Sequence, residues 1–258
     1  MESRTINNCA FHLLESLDRL KESNPKLKLL DVGGGPGSIT IGFAQRLPDG
    51  HITTVDLDPQ ALAKAKINAY EAGVSNIEFH TADVHELPFA DDTFDITHCH
   101  QVLTHVRNPA DALREMLRVT KPHGVVAARE GDHETECFWP RVPGLVYFHD
   151  FVSKMMKASG GTPNAGRQLL SWAIQAGVDR RKITHKYGTS YYSATDEKRV
   201  WADGMIEAIH TSQWRVAGIQ AGLVTEKELD EMVDGWNEWA QDDTASLGTL
   251  QGEIIIKK

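Results

Sequence analysis

The sequence predicts an α/β fold: a doubly wound sheet of about seven strands, the last of them antiparallel, with a helical lid. Over roughly the first 130 of the 258 residues, short apolar runs alternate with segments of helical periodicity. Four glycines fall within five positions at the first strand–helix junction, Gly33–Gly37. After Glu130 the pattern changes to mainly helical segments. Strand–helix alternation of this kind is typical of a parallel sheet covered by helices.

The first half of the chain contains five predicted strands. A helix over 5–22 precedes the first of them. Asp58-Pro59 and Asn108-Pro109 each pair a capping residue with the proline that suits the first helical position. The predicted strands are 26–32, 51–56, 76–81, 93–99 and 125–129, with helices after the first, second and fourth. Right-handed crossovers then place helices on both faces of the sheet.

The second half is predicted to be mostly helical. Thr225 and Glu228 have the spacing of a capping box at a helix start. The predicted helices are 143–158, 164–176, 196–214 and 225–240, and the predicted strands are 183–192 and 250–256. We find no repeat or linker between the halves, so we expect a single domain over 1–258.

Composition restricts the class of protein. The net charge of −9 disfavours nucleic acid as the main partner, because such proteins usually present a basic face. No apolar run approaches the roughly 20 residues of a membrane span, and the N-terminus lacks a signal-peptide pattern. The three cysteines are widely spaced, which disfavours a disulfide framework. We therefore expect a cytoplasmic protein without a membrane span.

The glycine cluster predicts a ligand site. Glycines after the first strand permit positive φ and let a ligand lie against the backbone, and the next helix offers free N–H groups. The spacing fits neither a dinucleotide motif nor a P-loop. Asp31, two residues before the first glycine, favours a ligand with an ammonium group, and S-adenosylmethionine has one. The residues predicted to hold it in this loop are Asp31, Gly33, Gly34, Gly35 and Gly37.

Carboxylates after the next two strands extend this prediction. Asp56 ends the second strand, where it can accept hydrogen bonds from two ribose hydroxyls. Asp83 follows the third strand and can accept from an adenine amino group. The neighbouring Leu57 and Val84 complete this part of the predicted site, with Val84 beside the adenine ring.

Four segments together resemble a known family. They are DVGGGPG, TTVDLDP, ADVHELPFADDTFD and LREMLRVTKPHG, which span about residues 27–130. They resemble class I S-adenosylmethionine-dependent methyltransferases, of the small-molecule group that includes the ubiquinone/menaquinone-biosynthesis type. The resemblance implies a Rossmann-like fold, a cofactor-binding half over 1–130, and a substrate-binding and lid half over 131–258.

The chain departs from the family pattern in two places. His123 replaces a glycine before the fifth strand, where we expect a turn adjustment. Only one helix is predicted before the first strand, whereas related enzymes often carry an additional N-terminal segment. Either later helices close the site, or the cofactor is more exposed than usual.

Histidines at the strand ends are the candidate catalytic residues. Methyl transfer requires mainly alignment of the reacting atoms, and a base only where the nucleophile must lose a proton. His100 and Gln101, at the end of the fourth strand, are predicted to line the transfer site and contact the cofactor. His105 and His133 are further candidates for catalysis, although each of these histidines has a structural alternative. The spacing does not predict a metal site.

The substrate site is predicted from the second half. Tyr147, Phe148 and His149 lie on the predicted helix 143–158, which could cover the pocket, and Arg167 begins the next helix. Packing and surface pairing are the structural alternatives for these residues.

The predicted function is methyl transfer by SN2 displacement to an O, C or N atom of a small organic acceptor, as in secondary metabolism, with S-adenosylhomocysteine as product. The alternatives are a cyclase or rearrangement catalyst that binds the same cofactor, and a non-enzymatic regulatory protein. A homodimer is compatible with the sequence.

Overall fold

The seven strands form one sheet in the order β3-β2-β1-β4-β5-β7-β6. The computed structural model describes residues 4–211 and 213–258. β7 runs antiparallel to both of its neighbours, and the β1–β5 pairs are parallel. The strands are β1 (Lys28–Val32), β2 (His51–Asp56), β3 (Ile77–Thr81), β4 (Phe94–His100), β5 (Thr120–Trp139), β6 (Ile183–Tyr192) and β7 (Ser246–Lys257). The predicted Rossmann-like fold with an antiparallel last strand is confirmed.

Helices cover both faces of this sheet and form the lid. They are α1 (Ile6–Cys9), α2 (Phe11–Ser23), α3 (Ser38–Arg46), α4 (Pro59–Glu71), α5 (Pro109–Val119), α6 (Pro143–Ala158), α7 (Ala165–Gln175), α8 (Thr195–Thr211), α9 (Gln213–Gln220) and α10 (Glu226–Gln241), with a short 3₁₀ helix at Arg180–Lys182. Separate apolar clusters lie on the two faces of the sheet. None of the helices in the described part of the chain is long and apolar enough to cross a membrane.

The order of the strands reverses beside β1, which places the ligand site. Chain direction takes β1 outward to β2 and β3, and then back across to β4. The carboxyl ends of β1 and β4 are neighbours, since Val32 is in register with Cys99. A crevice outside the strand ends at such a reversal is where ligands of open α/β sheets bind.

Local capping follows the sequence at some helix starts and not at others. Asp58 accepts a hydrogen bond from the N–H of Gln60 at 2.8 Å, and Thr225 and Glu228 form the predicted capping box. Asn108 and Pro109 start α5 as predicted, but Asn108 has φ +53° and its side chain makes no capping bond. His123, where the family has glycine, adopts φ +67°, so the turn keeps its left-handed backbone.

Two predicted helices are divided. The helix predicted over 5–22 breaks at Ala10, a fully buried residue with φ −127°. The short α1 then packs on α3, where Ile6 fills the space beside Gly42. The helix predicted over 196–214 is α8 followed by α9, and Ser212 lies outside the described residues.

The lid has an apolar cluster of its own. It is formed by α6, α8, α9 and α10, and includes the fully buried Trp239 and nearly fully buried Trp236. α6 and α10 cross at Gly144 and Gly235: a Cβ at Gly144 would lie 2.1 Å from the carbonyl oxygen of Glu231. Glycine at both positions lets the two backbones touch, which fixes α6 on α10.

Candidate active site

The glycine loop bends back over the end of β2. The N–H groups of Gly33 and Gly34 donate to the carbonyl of Val55, at 2.7 and 3.2 Å. The N–H of Gly35 donates to Asp56 Oδ2 at 2.9 Å. These bonds join the loop after β1 to the carboxylate that ends β2.

The glycines of the loop have different surroundings. A Cβ at Gly33 would lie 2.3 Å from the Val102 side chain, and one at Gly34 would lie 2.1 Å from Thr54 Oγ1. Gly35, at φ +53°, has no atom of the described residues within 4 Å of the position that a Cβ would occupy, its chain neighbours aside. Sterics inside the protein therefore require glycine at the first two positions, whereas the space beside Gly35 is open to a ligand.

Asp56 and Asp83 lie after neighbouring strands at the same edge of the sheet. Besides Gly35, Asp56 accepts the N–H of Asp58 at 3.0 Å. The backbone and ring nitrogens of His85 both contact Asp83, and these bonds hold the pKa of Asp83 below its usual value. Leu57 is largely exposed, while Val84 belongs to the core below.

Asp31 is buried beneath the loop. Its Oδ2 accepts from Thr40 Oγ1 at 2.6 Å, and its Oδ1 lies 2.8 Å from His98 Nδ1. Each carboxylate oxygen thus already has a partner within the protein, and Asp31 holds β4 and α3 against the loop. Its direct contact with an ammonium group stays a prediction.

His100 and Gln101 form the far side of the crevice. Gln101 has φ +53°, donates its N–H to the carbonyl of Arg129 and accepts from Arg4 with its side chain at 3.1 Å. Arg129 Nη1 donates toward His100 Nε2 at 3.3 Å. Burial, reinforced by nearby positive charges, lowers the pKa of His100 to about 2. His100 is therefore neutral at physiological pH, with the Nε2 lone pair occupied.

A cavity of about 580 Å³ opens beside these two residues. Its wall includes Arg4, Asn8 and Cys9 of the N-terminal segment, and Glu197 and Trp201 of α8, together with residues of β5, β6 and β7. The volume is typical of a site for a small molecule. A lid helix thus contributes to the wall, as the first of the two alternatives expects, and the N-terminal segment, which neither alternative included, contributes as well.

His133 and Glu136 form a hydrogen-bonded pair in this wall. His133 Nδ1 lies 2.8 Å from Glu136 Oε1. Residues three apart on a regular strand point to opposite faces, but the register of β5 with β7 shifts between Asp132 and Cys137. This bulge brings the two side chains to the same side.

The pair has shifted pKa values of opposite sign. Burial lowers the pKa of His133, but the hydrogen bond and charge of Glu136 and the charge of Asp132 outweigh it and raise the pKa overall. Burial raises the pKa of Glu136, but contacts with His133 and His149 lower it to about 2. Glu136 is thus a carboxylate that orients an imidazole, the arrangement that holds a catalytic histidine in one tautomer.

Two further residues of the cavity wall are Arg129, which belongs to a buried ion pair, and Gln251. Arg129 Nε donates to Glu253 Oε1 at 3.0 Å, and both residues are buried. Gln251, on β7, lies opposite Gly131 of β5, and its buried Oε1 has no hydrogen-bond partner among residues 4–211 and 213–258. A Cβ at Gly131 would lie 3.6 Å from this Oε1 and 3.7 Å from His133 Nε2. Both atoms therefore border the space that a side chain at Gly131 would occupy.

Several predicted residues lie away from the cavity. Phe148 is part of the lid core, Tyr147 is half exposed on α6, and Arg167 is held by Asp132 at 2.8 Å. His149 contacts Glu136 without lining the wall. His105 is exposed and also absent from the wall. The structure thus places α8, rather than α6, over the cavity.

Glu136 and Gln251 were missed because their sequence signals are weak. Only the bulge in β5 and the pairing of β5 with β7 bring these two residues to the part of the wall where His133 lies. Across the ranges 4–211 and 213–258, no cluster of three or more His, Cys, Asp or Glu side chains is arranged to hold a metal ion.

The fold, the glycine loop and the carboxylates at the ends of β1 to β3 define a nucleotide-type cofactor site in a class I methyltransferase architecture. The family model for the methyltransferase domain matches residues 23–171. An uncharacterized methyltransferase of Schizosaccharomyces pombe is 31% identical over 99% of this chain and 91% of its own length. The chain therefore belongs to the methyltransferase domain family.

Other relatives agree with this assignment. The ubiquinone/menaquinone biosynthesis C-methyltransferase of Idiomarina loihiensis is 36% identical over 71% of this chain and 72% of its own length. A solved protein from Bacillus halodurans has a TM-score of 0.60 and covers 95% of this chain, with 98% of its own covered, at 19% identity. The second similarity shows the shared fold.

S-adenosylmethionine is the cofactor of this family, and the site fits it. Phosphoethanolamine N-methyltransferase 2 of Haemonchus contortus, solved with S-adenosyl-L-methionine, has a TM-score of 0.53 at 16% identity, over 95% of this chain and 52% of its own. In the present structure, the open space at Gly35 and the carboxylate of Asp56 are the features that would hold the cofactor. The bound cofactor supplies a methyl group on a positively charged sulfur.

Proposed function

We propose that this methyltransferase acts on a small organic acceptor whose nucleophilic atom carries a proton, a hydroxyl group above all. The observation that supports this most directly is the His133–Glu136 pair in the wall of a 580 Å³ cavity that also includes His100 and Gln101. A nucleophile that carries no proton, such as a tertiary amine, would need no such base, whereas a hydroxyl must lose its proton.

His133 is the general base in this proposal. Glu136 accepts a hydrogen bond from the Nδ1–H of His133, which leaves the lone pair of Nε2 available to the hydroxyl group of the acceptor. His133 Nε2 would take the hydroxyl proton as the oxygen is methylated, and the bound cofactor would supply the methyl group and leave as S-adenosylhomocysteine. His100 is less suited to this role, because its Nε2 already accepts from Arg129 and its pKa is about 2.

Gln251 supports a polar acceptor. An unpaired buried acceptor atom costs free energy unless a ligand supplies a donor. The Oε1 of Gln251 and His133 Nε2 border the same space beside Gly131. We therefore expect the acceptor to carry a second hydroxyl or amine group near the one that is methylated.

The test is formation of S-adenosylhomocysteine with a panel of small phenols and alcohols, with their methyl ethers as matched compounds lacking the hydroxyl. The proposal expects turnover of hydroxyl compounds that falls at least 100-fold in His133→Gln, since general-base catalysis contributes about 10²- to 10⁴-fold. His80→Gln, at a half-exposed histidine on β3, is the control and keeps the wild-type rate.

Two outcomes would contradict the proposal. Turnover that is unchanged in His133→Gln would show that His133 is not the general base. Methylation of carbon acceptors alone would favour a different acceptor atom. Conversion of a compound without formation of S-adenosylhomocysteine would favour a cyclase.

A further inference from the structure

His149 has hydrogen-bond acceptors on both sides of its ring. Its Nδ1 lies 2.6 Å from the carbonyl oxygen of Leu145, and its Nε2 lies 2.8 Å from Glu136 Oε2. A carbonyl oxygen can only accept, and so can an ionised carboxylate. Contacts with His133 and His149 keep Glu136 ionised despite its burial. Both contacts are satisfied only if both nitrogens of His149 carry a proton.

The surroundings of His149 suit a cation. Its ring stacks on Phe138 with centroids 4.7 Å apart and planes at 11°, and it packs perpendicular to Phe148 with centroids 5.7 Å apart. An aromatic face attracts a positive charge. The side chain is 16% exposed, so water screens its contact with Glu136 only weakly.

We propose that His149 is a positioning residue that acts through Glu136 on His133. As an imidazolium, His149 neutralises the carboxylate and binds its Oε2. Oε1 then accepts a hydrogen bond from Nδ1–H of His133, which leaves Nε2 of His133 facing the cavity. The inference rests on the proposed role of His133 as the base.

The arrangement sets the basicity of His133. An isolated carboxylate beside an imidazole strongly favours the protonated form, which cannot act as a base. A positive charge on the far side of Glu136 opposes that effect. The other titratable or charged groups near His133 are Asp132 and Glu130 on β5 and His105 after β4, with Arg167 of α7 held on Asp132.

The relay also links the lid to the base. His149 lies on α6, which the Gly144–Gly235 contact fixes on α10, whereas His133 and Glu136 lie on β5 of the sheet. Glu136 is thus held from both parts of the molecule. A displacement of α6 would free one oxygen of Glu136 and change the protonation of His133.

The experiment is a pH titration of the ¹⁵N-histidine-labelled protein by NMR, without acceptor, in wild type and in His149→Gln, His149→Phe and Glu136→Gln. The inference expects a proton on each nitrogen of His149, as its two acceptor contacts require. His149→Gln keeps a donor to Glu136 but no charge, so His133 should titrate at higher pH than in wild type. Glu136→Gln should move the titration of His133 to lower pH.

Tyr147→Phe, on the exposed side of α6, is the control for substitution in this helix and leaves His133 unchanged. His149→Phe keeps an aromatic ring on Phe138 and provides a second test if the Gln variant does not fold. A His149 ring with a proton on only one nitrogen, or an unmoved His133 titration in a folded His149 variant, would overturn the inference. A shifted titration combined with methylation that does not need His133 would instead refute the proposed function and leave the relay standing.

Discussion

Gly35→Ala separates the ligand role of the glycine loop from its structural role. At this position the backbone is left-handed, with φ +53°, and within residues 4–211 and 213–258 no atom beyond the chain neighbours lies within 4 Å of the added methyl group. The substitution therefore carries a conformational cost but no internal clash. By contrast, Gly33→Ala would drive its methyl to 2.3 Å from Val102 and test mainly packing.

The expected magnitudes follow from these surroundings. A non-glycine residue in the left-handed region costs about 1–2 kcal/mol. For a protein of this size, each kcal/mol lowers Tm by about 2–4 °C, so we expect a fall of about 2–8 °C. A methyl group in space that the cofactor occupies costs about 1–3 kcal/mol. Since 1.4 kcal/mol is a factor of ten, S-adenosylmethionine affinity should fall roughly 5- to 150-fold.

Gly73→Ala is the matched control for this measurement. Gly73 has φ +69° and equally open surroundings, but it lies after α4, at the opposite edge of the sheet from the loop. Both variants should lose similar thermal stability, and only Gly35→Ala should lose affinity in calorimetric titration. Wild-type affinity in Gly35→Ala would show that the cofactor does not lie against this part of the loop.

Three further predictions follow from the site. Asp56→Ala should weaken S-adenosylmethionine binding more than 100-fold, because hydrogen bonds to a charged group contribute about 1.5–3 kcal/mol each and the ribose offers two. Asp58→Ala is the control: it should cost about 1 kcal/mol of stability, because the helix cap is lost, but leave the affinity measured by calorimetry intact. The raised pKa of His133 means that its neutral, basic form is populated only above that pKa, so kcat/KM for a hydroxyl acceptor should rise with pH through it and fall below it; a pH-independent rate between pH 5 and 9 would contradict this. Glu253→Gln should lower the free energy of unfolding in urea by about 3–5 kcal/mol, because it leaves the buried guanidinium of Arg129 without its carboxylate, and an unchanged midpoint would show that the pair is not buried as described.

The cofactor half was predictable from sequence because its signals are local. Strand β2 was predicted at its observed bounds, and the boundaries of β1, β3 and β4 were close. Periodicity, glycine spacing and the Asp58-Pro59 start each act over a few residues. The break at Ala10 was not predictable in this way, because tertiary contact of Ile6 with α3 determines the direction of α1.

The acceptor side was less predictable for a physical reason. His133 was identified among the histidines, but its partner Glu136 meets it only because β5 is bulged. Gln251 reaches the cavity through pairing with a strand more than 100 residues away in sequence. Phe148 and Arg167 have side chains suited to a pocket, but core packing and an ion pair with Asp132 use them instead. Nothing in their immediate sequence distinguishes these outcomes.

The length of β5 has a consequence for how the specificity of such an enzyme could change. One continuous strand carries both His133 and Arg129, and the carbonyl oxygen of Arg129 accepts the N–H of Gln101. The distance between the cofactor side of the site and the proposed base is therefore determined by the covalent geometry of the strand rather than by a hinge. Four residues of extended chain span about 13 Å. Substitutions in α8 can therefore reshape the opposite wall for a new acceptor, while the distance between Gln101, on the side of the cofactor, and His133, the proposed base, stays constant.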